Sequence, residues 1–129
     1  MSLNYNNVDE ELLKILPELR PLYDRELESW KGQKPGQYII FEDLLRSYIL
    51  PLLDSRENDE VMRRIFGFFE SMAESEDIQV VNLLQVGELE FLITRSPLLS
   101  MAWRYMGEKT KALTRETAKI WHYEKNLPD

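Results

Sequence analysis

Residues 78–93 read IQVVNLLQVGELEFLI, and this stretch decides the fold. Its apolar side chains recur every three or four residues and also fill positions in between, so they surround most of a helix axis. A helix that is apolar on most sides is buried by its neighbours. The sequence therefore predicts a central helix that starts at Ser75 to Asp77, ends near Ile93 and packs among other helices.

The segments on either side of this stretch are also helical in pattern. Apolar residues recur at spacings of three to five in 8–30, 41–52, 61–72 and 98–106. Pro17 cannot donate a backbone hydrogen bond, so the first segment should break near Leu16. No segment alternates long enough to predict a strand. We predict an all-α domain of six or seven helices in short antiparallel pairs, a multi-helical bundle for which a HEAT-like arrangement stays open.

The length of 129 residues predicts a single domain spanning 1–129. Residues 1–6 are expected to be disordered or a leader outside the fold, and 31–37 and 54–59 are expected to be loops. Near the C-terminus, Gly107 has the position of a left-handed helix cap, and Thr114 is predicted to open the last helix.

Composition excludes several classes of protein. The net charge is −7, which disfavours a protein that mainly neutralises phosphates. The chain has no Cys and a single His, so thiol chemistry and His-pair metal sites are excluded. No long apolar run and no signal peptide appear, so we expect a cytoplasmic protein with no membrane contact. No nucleotide-binding or nucleophile motif is present, and we predict no enzyme activity, catalytic residue, metal or cofactor.

Four blocks of the chain resemble a family of small all-helical bacterial proteins described only as a domain of unknown function. They are FGFFESMA at 66–73, VVNLL at 80–84, LEFL at 89–92 and YMGEKT at 105–110. The similarity runs from about Leu12 to Ile120, and Glu108 stands where the family pattern suggests proline. Some such families resemble immunity proteins encoded beside toxins. The resemblance therefore implies a helical fold and a protein partner, and it supplies no catalytic residue.

An acidic cluster joins the end of one predicted helix to the start of the next. It consists of Glu70, Glu74, Glu76 and Asp77. Glu70 and Glu74 lie one turn apart and repel each other, whereas Glu76 and Asp77 favour the N-terminus of the next helix. The cluster is either a solvated turn, a partner-binding surface or, least in keeping with any metal motif, a carboxylate metal site. We select the four carboxylates as the candidate binding site for a cationic toxin.

Two further glutamates lie inside the central stretch. Glu88 and Glu90 face opposite sides of a helix, so only one of them points inward. Because Glu90 belongs to the block at 89–92, the sequence favours Glu90 as the partly buried one, in a structural role.

The C-terminal segment has the opposite charge to the rest of the chain. Residues 95–125 hold seven Lys or Arg against three Asp or Glu, a net of +4. These cations either pack beside the acidic helices or bind an external partner. The leading hypothesis is a non-enzymatic interaction protein that binds a cationic toxin through the acidic surface. The alternative is a nucleic-acid-associated factor that uses the basic C-terminal helices. The oligomeric state is not predicted.

Overall fold

The computed structural model describes residues 3–31, 33–53 and 58–128. Within these ranges the chain forms seven continuous helices and no strand, which confirms the all-α prediction. In order they are α1 (Val8–Ile15); α2 (Arg20–Ser29), entered through a 3-10 turn at Pro17–Leu19; the run of α3 (Gln37–Ile40), π1 (Phe41–Leu45) and α4 (Arg46–Leu53); α5 (Asp59–Ala73); the run of α6 (Ile78–Leu84), π2 (Gln85–Leu89) and α7 (Glu90–Ile93); α8 (Ser96–Trp103); and α9 (Glu108–Trp121).

The core forms around α5 and the run α6–π2–α7. Helix α5 packs against α1, α4, α6 and α9, and the second run packs against π1, α8 and α9 as well. The inward stripe of α5 is Met62, Ile65, Phe66, Phe68, Phe69 and Met72. The predicted central helix is therefore present over 78–93 and is buried on several sides. The HEAT-like arrangement stays a prediction.

Two helices contain a π-helical segment, which inserts one residue into the α-helical repeat. In π2 the N–H of Glu90 donates to the carbonyl of Gln85, five residues earlier. The inserted residue rotates the side chains that follow it around the helix axis. The segments π1 and π2 contact each other in the folded chain. Glu88, one of the buried polar residues, lies within π2.

The predicted loops are slightly too long where the structure describes them. Gln37 already begins α3 and is buried, and Asp59 already begins α5. Residues 54–57 of the second predicted loop lie outside the described residues. Helix α2 ends at Ser29, and Lys31 has a positive φ of 56°. The break predicted near Leu16 is confirmed, because α1 ends at Ile15.

The start of the last helix differs from the prediction. Helix α9 begins at Glu108, and Thr114 lies fully buried inside it. Gly107 precedes the helix with φ −80° and ψ 176°, so it is extended and not left-handed. The physical reason is a carboxylate from a distant helix that binds the free N–H groups of the first turn.

The N-terminal segment is part of the fold from Leu3 onward. Leu3 is buried, and its carbonyl accepts a hydrogen bond from the Ser75 hydroxyl at 3.0 Å. The structure thus places residues 3–6, expected to be disordered or a leader, against the fold, while residues 1 and 2 lie outside the described residues. The burial of one apolar side chain and a polar anchor at Ser75 hold this segment in place. None of the described helices combines the length and apolar character needed to cross a membrane.

Candidate functional site

Glu70 caps the N-terminus of α9 from inside the molecule. Its carboxylate accepts hydrogen bonds from the backbone N–H groups of Lys109 and Thr110, both at 2.9 Å, and from the Thr110 hydroxyl at 2.7 Å. Partial burial raises the pKa of Glu70, but these hydrogen bonds outweigh it and bring the pKa below its usual value of 4.5. Free N–H groups at the start of a helix favour an anion, which explains why the pKa of Glu70 is lowered. Glu70 is thus committed to the fold.

Asp77 is likewise bound within the fold, at the start of α6. One carboxylate oxygen accepts from the Gln79 N–H at 3.0 Å, and the other accepts from the Tyr5 N–H at 2.8 Å. Of the four predicted site residues, only Glu74 and Glu76 are exposed. The four residues lie at the end of α5 and in the connection to α6. Glu70 and Asp77 cap helices inside the fold, whereas Glu74 and Glu76 are exposed at the surface. Sequence spacing could not show this, because the partners of Glu70 lie about forty residues later.

The buried glutamate of the central run is Glu88, whereas the sequence favoured Glu90. Glu88 is only 4% exposed, and its Oε1 has no hydrogen-bond partner among the described residues. Glu90 is half-buried at the surface, where it accepts a hydrogen bond from Trp121 Nε1 at 3.1 Å. Glu88 follows the buried residues Val80 and Leu84 at spacings of four, so helical periodicity places it on their inward face. The sequence prediction chose Glu90 because it relied on the block at 89–92.

Burial dominates the electrostatics of Glu88. It raises the pKa of Glu88 well above its usual value, Arg46 lowers the pKa, and Glu42 raises it. Asp9 is buried to a similar degree but has three partners: the Tyr23 hydroxyl at 2.8 Å, Gln37 Nε2 at 2.9 Å and Lys34 Nζ at 2.8 Å. Burial raises the pKa of Asp9, yet these partners together lower it below its usual value. The three partners thus hold the pKa of Asp9 below its usual value, whereas burial holds the pKa of Glu88 well above its usual value.

An open acidic groove lies between α2 and π1. It has a volume of about 400 Å³, and its lining includes Glu26, Glu42 and Asp43, with Arg25 as the one cation among the described lining residues. None of the three carboxylates forms an ion pair with a described residue. The negative potential of such a concave surface attracts cationic groups. Sequence reasoning missed this groove because α2 and π1 are brought together only by folding.

The basic residues of α9 surround an aromatic ring. Lys111 Nζ lies 5.5 Å and the Arg115 guanidinium 5.2 Å from the centre of the Trp103 ring. Because α9 begins at Glu108, Lys111, Arg115 and Lys119 lie one turn apart along the helix. No three His, Asp or Glu side chains within the described ranges are grouped as a metal site requires.

Fold and site together define a small all-helical domain with internally capped helices, an acidic groove and a buried glutamate. The chain belongs to the family described as Domain of unknown function (DUF7674), whose model matches residues 10–122. The resemblance found in the sequence is thus confirmed at the level of a family of unknown function. No curated protein and no solved structure matches the chain.

Proposed function

We propose that this chain is a non-enzymatic interaction protein that binds a cationic protein through the groove between α2 and π1. The observation that carries the proposal is the set of three carboxylates, Glu26, Glu42 and Asp43, in a groove of about 400 Å³ with one facing cation. A cationic side chain entering the groove meets carboxylates that have no ion-pair partner among the described residues. Such a surface speeds association and selects partners by charge.

The groove replaces most of the acidic turn as the proposed contact surface. Glu70 and Asp77 bind backbone N–H groups, so a partner could bind them only by uncapping α9 or α6. Glu74 and Glu76 remain exposed and form a second, smaller acidic surface. A test of the proposal must therefore distinguish these two surfaces.

The test uses a defined cationic probe. A peptide of about ten residues rich in Lys and Arg is titrated into labelled protein, and amide shifts are followed by NMR. We expect the shifts to concentrate at Glu26, Glu42 and Asp43. The charge-reversed variant Glu42→Lys/Asp43→Lys should lose them, and a peptide with Gln in place of Lys and Arg should cause none.

The matched control is Glu74→Lys/Glu76→Lys, which changes the charge by the same amount elsewhere. In this control the peptide should still cause the amide shifts at the groove. Binding of the peptide to the wild type should weaken between about 50 mM and 500 mM salt, because the Debye length falls from roughly 14 to 4 Å. Loss of binding in the control alone would move the site to the α5–α6 turn. Binding that ignores both reversals and salt contradicts the acidic-surface proposal.

A finer proposal is that the cationic partner is a bacterial toxin and that this chain is its immunity protein. Its support is the family resemblance together with the acidic groove. If it is correct, a gene beside this one encodes a product that arrests growth, and co-expression of this chain restores growth. Glu42→Lys/Asp43→Lys should fail to restore it. A neighbouring toxic product that this chain does not neutralise contradicts the finer proposal and leaves the cationic-partner proposal intact.

One observation favours a second candidate function, the association with nucleic acid. Lys111 and Arg115 flank Trp103, and Lys119 extends the row by one turn. Basic side chains around an aromatic ring are typical of single-strand binding surfaces. Fluorescence anisotropy with a 20-nucleotide single strand, at about 50 mM salt, tests this candidate. Loss of binding in Lys111→Glu/Arg115→Glu, with the groove variant unaffected, would favour it over the first.

A further inference from the structure

Two polar groups line the same buried cavity without binding each other. Glu88 Oε1 and Arg46 Nε are both buried and have no hydrogen-bond partner among the described residues. The cavity measures about 10 Å³, which is room for one water molecule and too little for a metabolite. Its remaining walls are apolar: Ile49, Leu50, Phe66, Phe69, Phe91 and Leu92.

Arg46 contacts a backbone carbonyl and an aromatic ring. Its Nη2 donates to the carbonyl of Gly87 at 2.9 Å, and its guanidinium lies 4.5 Å from the centre of the Phe91 ring. No ion pair joins Arg46 to Glu88 in the described part of the chain. An ionised carboxylate without a partner is costly in an apolar site, so this arrangement suits a protonated Glu88.

The surroundings of Glu88 contain few other charges. Arg46, at the start of α4, favours the ionised carboxylate, and Glu42 on π1 opposes it. Helix α5 contributes Phe66 and Phe69 to the cavity wall, and α7 contributes Phe91 and Leu92. Glu88 lies within π2, and Arg46 directly follows π1, so a movement that joins them acts on both π segments. Helix segments of this kind are frequent at functional sites.

We propose that Glu88 and Arg46 form a proton-controlled switch between π1 and π2. In the first state of this switch Glu88 carries a proton and Arg46 donates to the Gly87 carbonyl. When the proton leaves for solvent, Arg46 leaves the Gly87 carbonyl and forms an ion pair with the Glu88 carboxylate. The cavity between them gives the side chains the space to meet, and the proton passes to bulk solvent.

The switch is coupled to the acidic groove through Glu42. Glu42 lines the groove and its negative charge opposes ionisation of Glu88. A cation bound at Glu42 cancels that charge and therefore favours loss of the proton from Glu88. By reciprocity, loss of the proton strengthens binding of the cation. This coupling rests on the proposed cationic partner, whereas the switch itself does not.

The switch is tested by following the Glu88 side-chain carbon and the Arg46 Nε–H by NMR as a function of pH. We expect Glu88 to titrate well above 4.5, its usual pKa. The Arg46 Nε–H and the amides of 85–89 should shift with the same midpoint. In Glu88→Gln these joint shifts should disappear, while the control Glu90→Gln should keep them. Titration of Glu88 near its usual pKa, or titration without a response from Arg46, overturns the switch.

A second variant keeps Glu88 in place, so the test does not depend on Glu88→Gln folding. Glu42→Gln removes the repulsion and should lower the pKa of Glu88. An unchanged or higher Glu88 midpoint in this variant contradicts the proposed coupling.

Binding of the Lys/Arg peptide separates the two proposals. In the wild type, affinity should rise roughly fivefold or more as the pH passes the Glu88 midpoint, and in Glu88→Gln it should stay constant. Absence of peptide binding at every pH contradicts the proposed function and leaves the NMR titration as the decisive test of the switch. Binding that does not change with pH contradicts the coupling alone.

Discussion

The Glu70 carboxylate occupies the space that a side chain at Gly107 would fill. A Cβ atom at position 107 would lie 2.5 Å from both Cδ and Oε1 of Glu70. The backbone at Gly107 is extended, with φ −80° and ψ 176°, so any residue can adopt its conformation. Glycine is required here by the close approach of the carboxylate. The blocks at 66–73 and 105–110 of the family pattern thus meet at the first turn of α9.

Replacing Glu70 should destabilise the protein far more than replacing its neighbour Glu74. Glu70→Ala removes a charged cap and leaves the N–H groups of Lys109 and Thr110 without that partner. We expect a loss of about 2 kcal/mol in the free energy of unfolding, the upper range for a cap. Glu74→Ala, at an exposed site, should change it by less than about 0.5 kcal/mol. Urea unfolding at neutral pH measures both, and equal losses would contradict the capping role.

Gly107→Ala should act through Glu70. The new methyl group displaces the Glu70 carboxylate from Lys109 and Thr110. The free energy of unfolding should therefore fall by about 1 to 2 kcal/mol, which is no more than the loss expected for Glu70→Ala. In a Glu70→Ala background the same change should cost less than about 0.5 kcal/mol. A double-mutant cycle measures this coupling. Additive losses would mean that Gly107 serves some purpose other than clearing space for Glu70.

The Glu70 cap should be lost in acid. The pKa of Glu70 is lower in the folded chain than its usual value of 4.5, so the native state binds the proton less readily than the unfolded state. The resulting stability is fully present above pH 4.5 and is lost as the pH falls through the folded pKa. The stability difference between wild type and Glu70→Gln should therefore shrink between about pH 6 and about pH 3. Glu74→Gln, measured over the same range, should show no comparable change, and a constant gap for Glu70→Gln would contradict the assignment.

Truncation of Asp9 should destabilise the protein far more than truncation of an exposed carboxylate. Asp9→Ala leaves Tyr23, Gln37 and Lys34 without their shared acceptor. Removing one partner of a buried charged network costs about 3 kcal/mol or more. Asp9→Asn retains an acceptor oxygen, so its stability should fall by less than that of Asp9→Ala. The matched control is the exposed Asp24, whose Oδ1 lies 3.9 Å from Arg20 Nε. Asp24→Ala should change the free energy of unfolding by no more than about 0.5 kcal/mol. Thermal unfolding of the three variants checks the order.

Local signals in the sequence determined the helices and many of their ends. Apolar spacing gave the stripe of α5 and the central run, because a helix must bury one face. Helix α1 ends before Pro17, and Asp77 caps α6. The sequence indicates both, because the helix end and the cap each depend on residues next to them in the chain. Phe66, Phe69, Leu84 and Leu89 are buried for the same reason, while Phe91 stays partly exposed between Arg46 and Arg95.

Tertiary structure alone decided what the carboxylates do. Glu70 and Glu74 are equivalent in sequence, yet only Glu70 meets the start of α9, because the packing of α5 on α9 brings them together. Glu88 faces a cavity walled by side chains of α4, α5 and α7, whereas Glu90 accepts a hydrogen bond from Trp121 of α9 at the surface. The acidic groove forms only where folding brings α2 and π1 together, although each carries its carboxylates in a separate segment of the sequence. Local periodicity fixes which faces are apolar, whereas the environment of each charge depends on contacts between segments far apart in the chain.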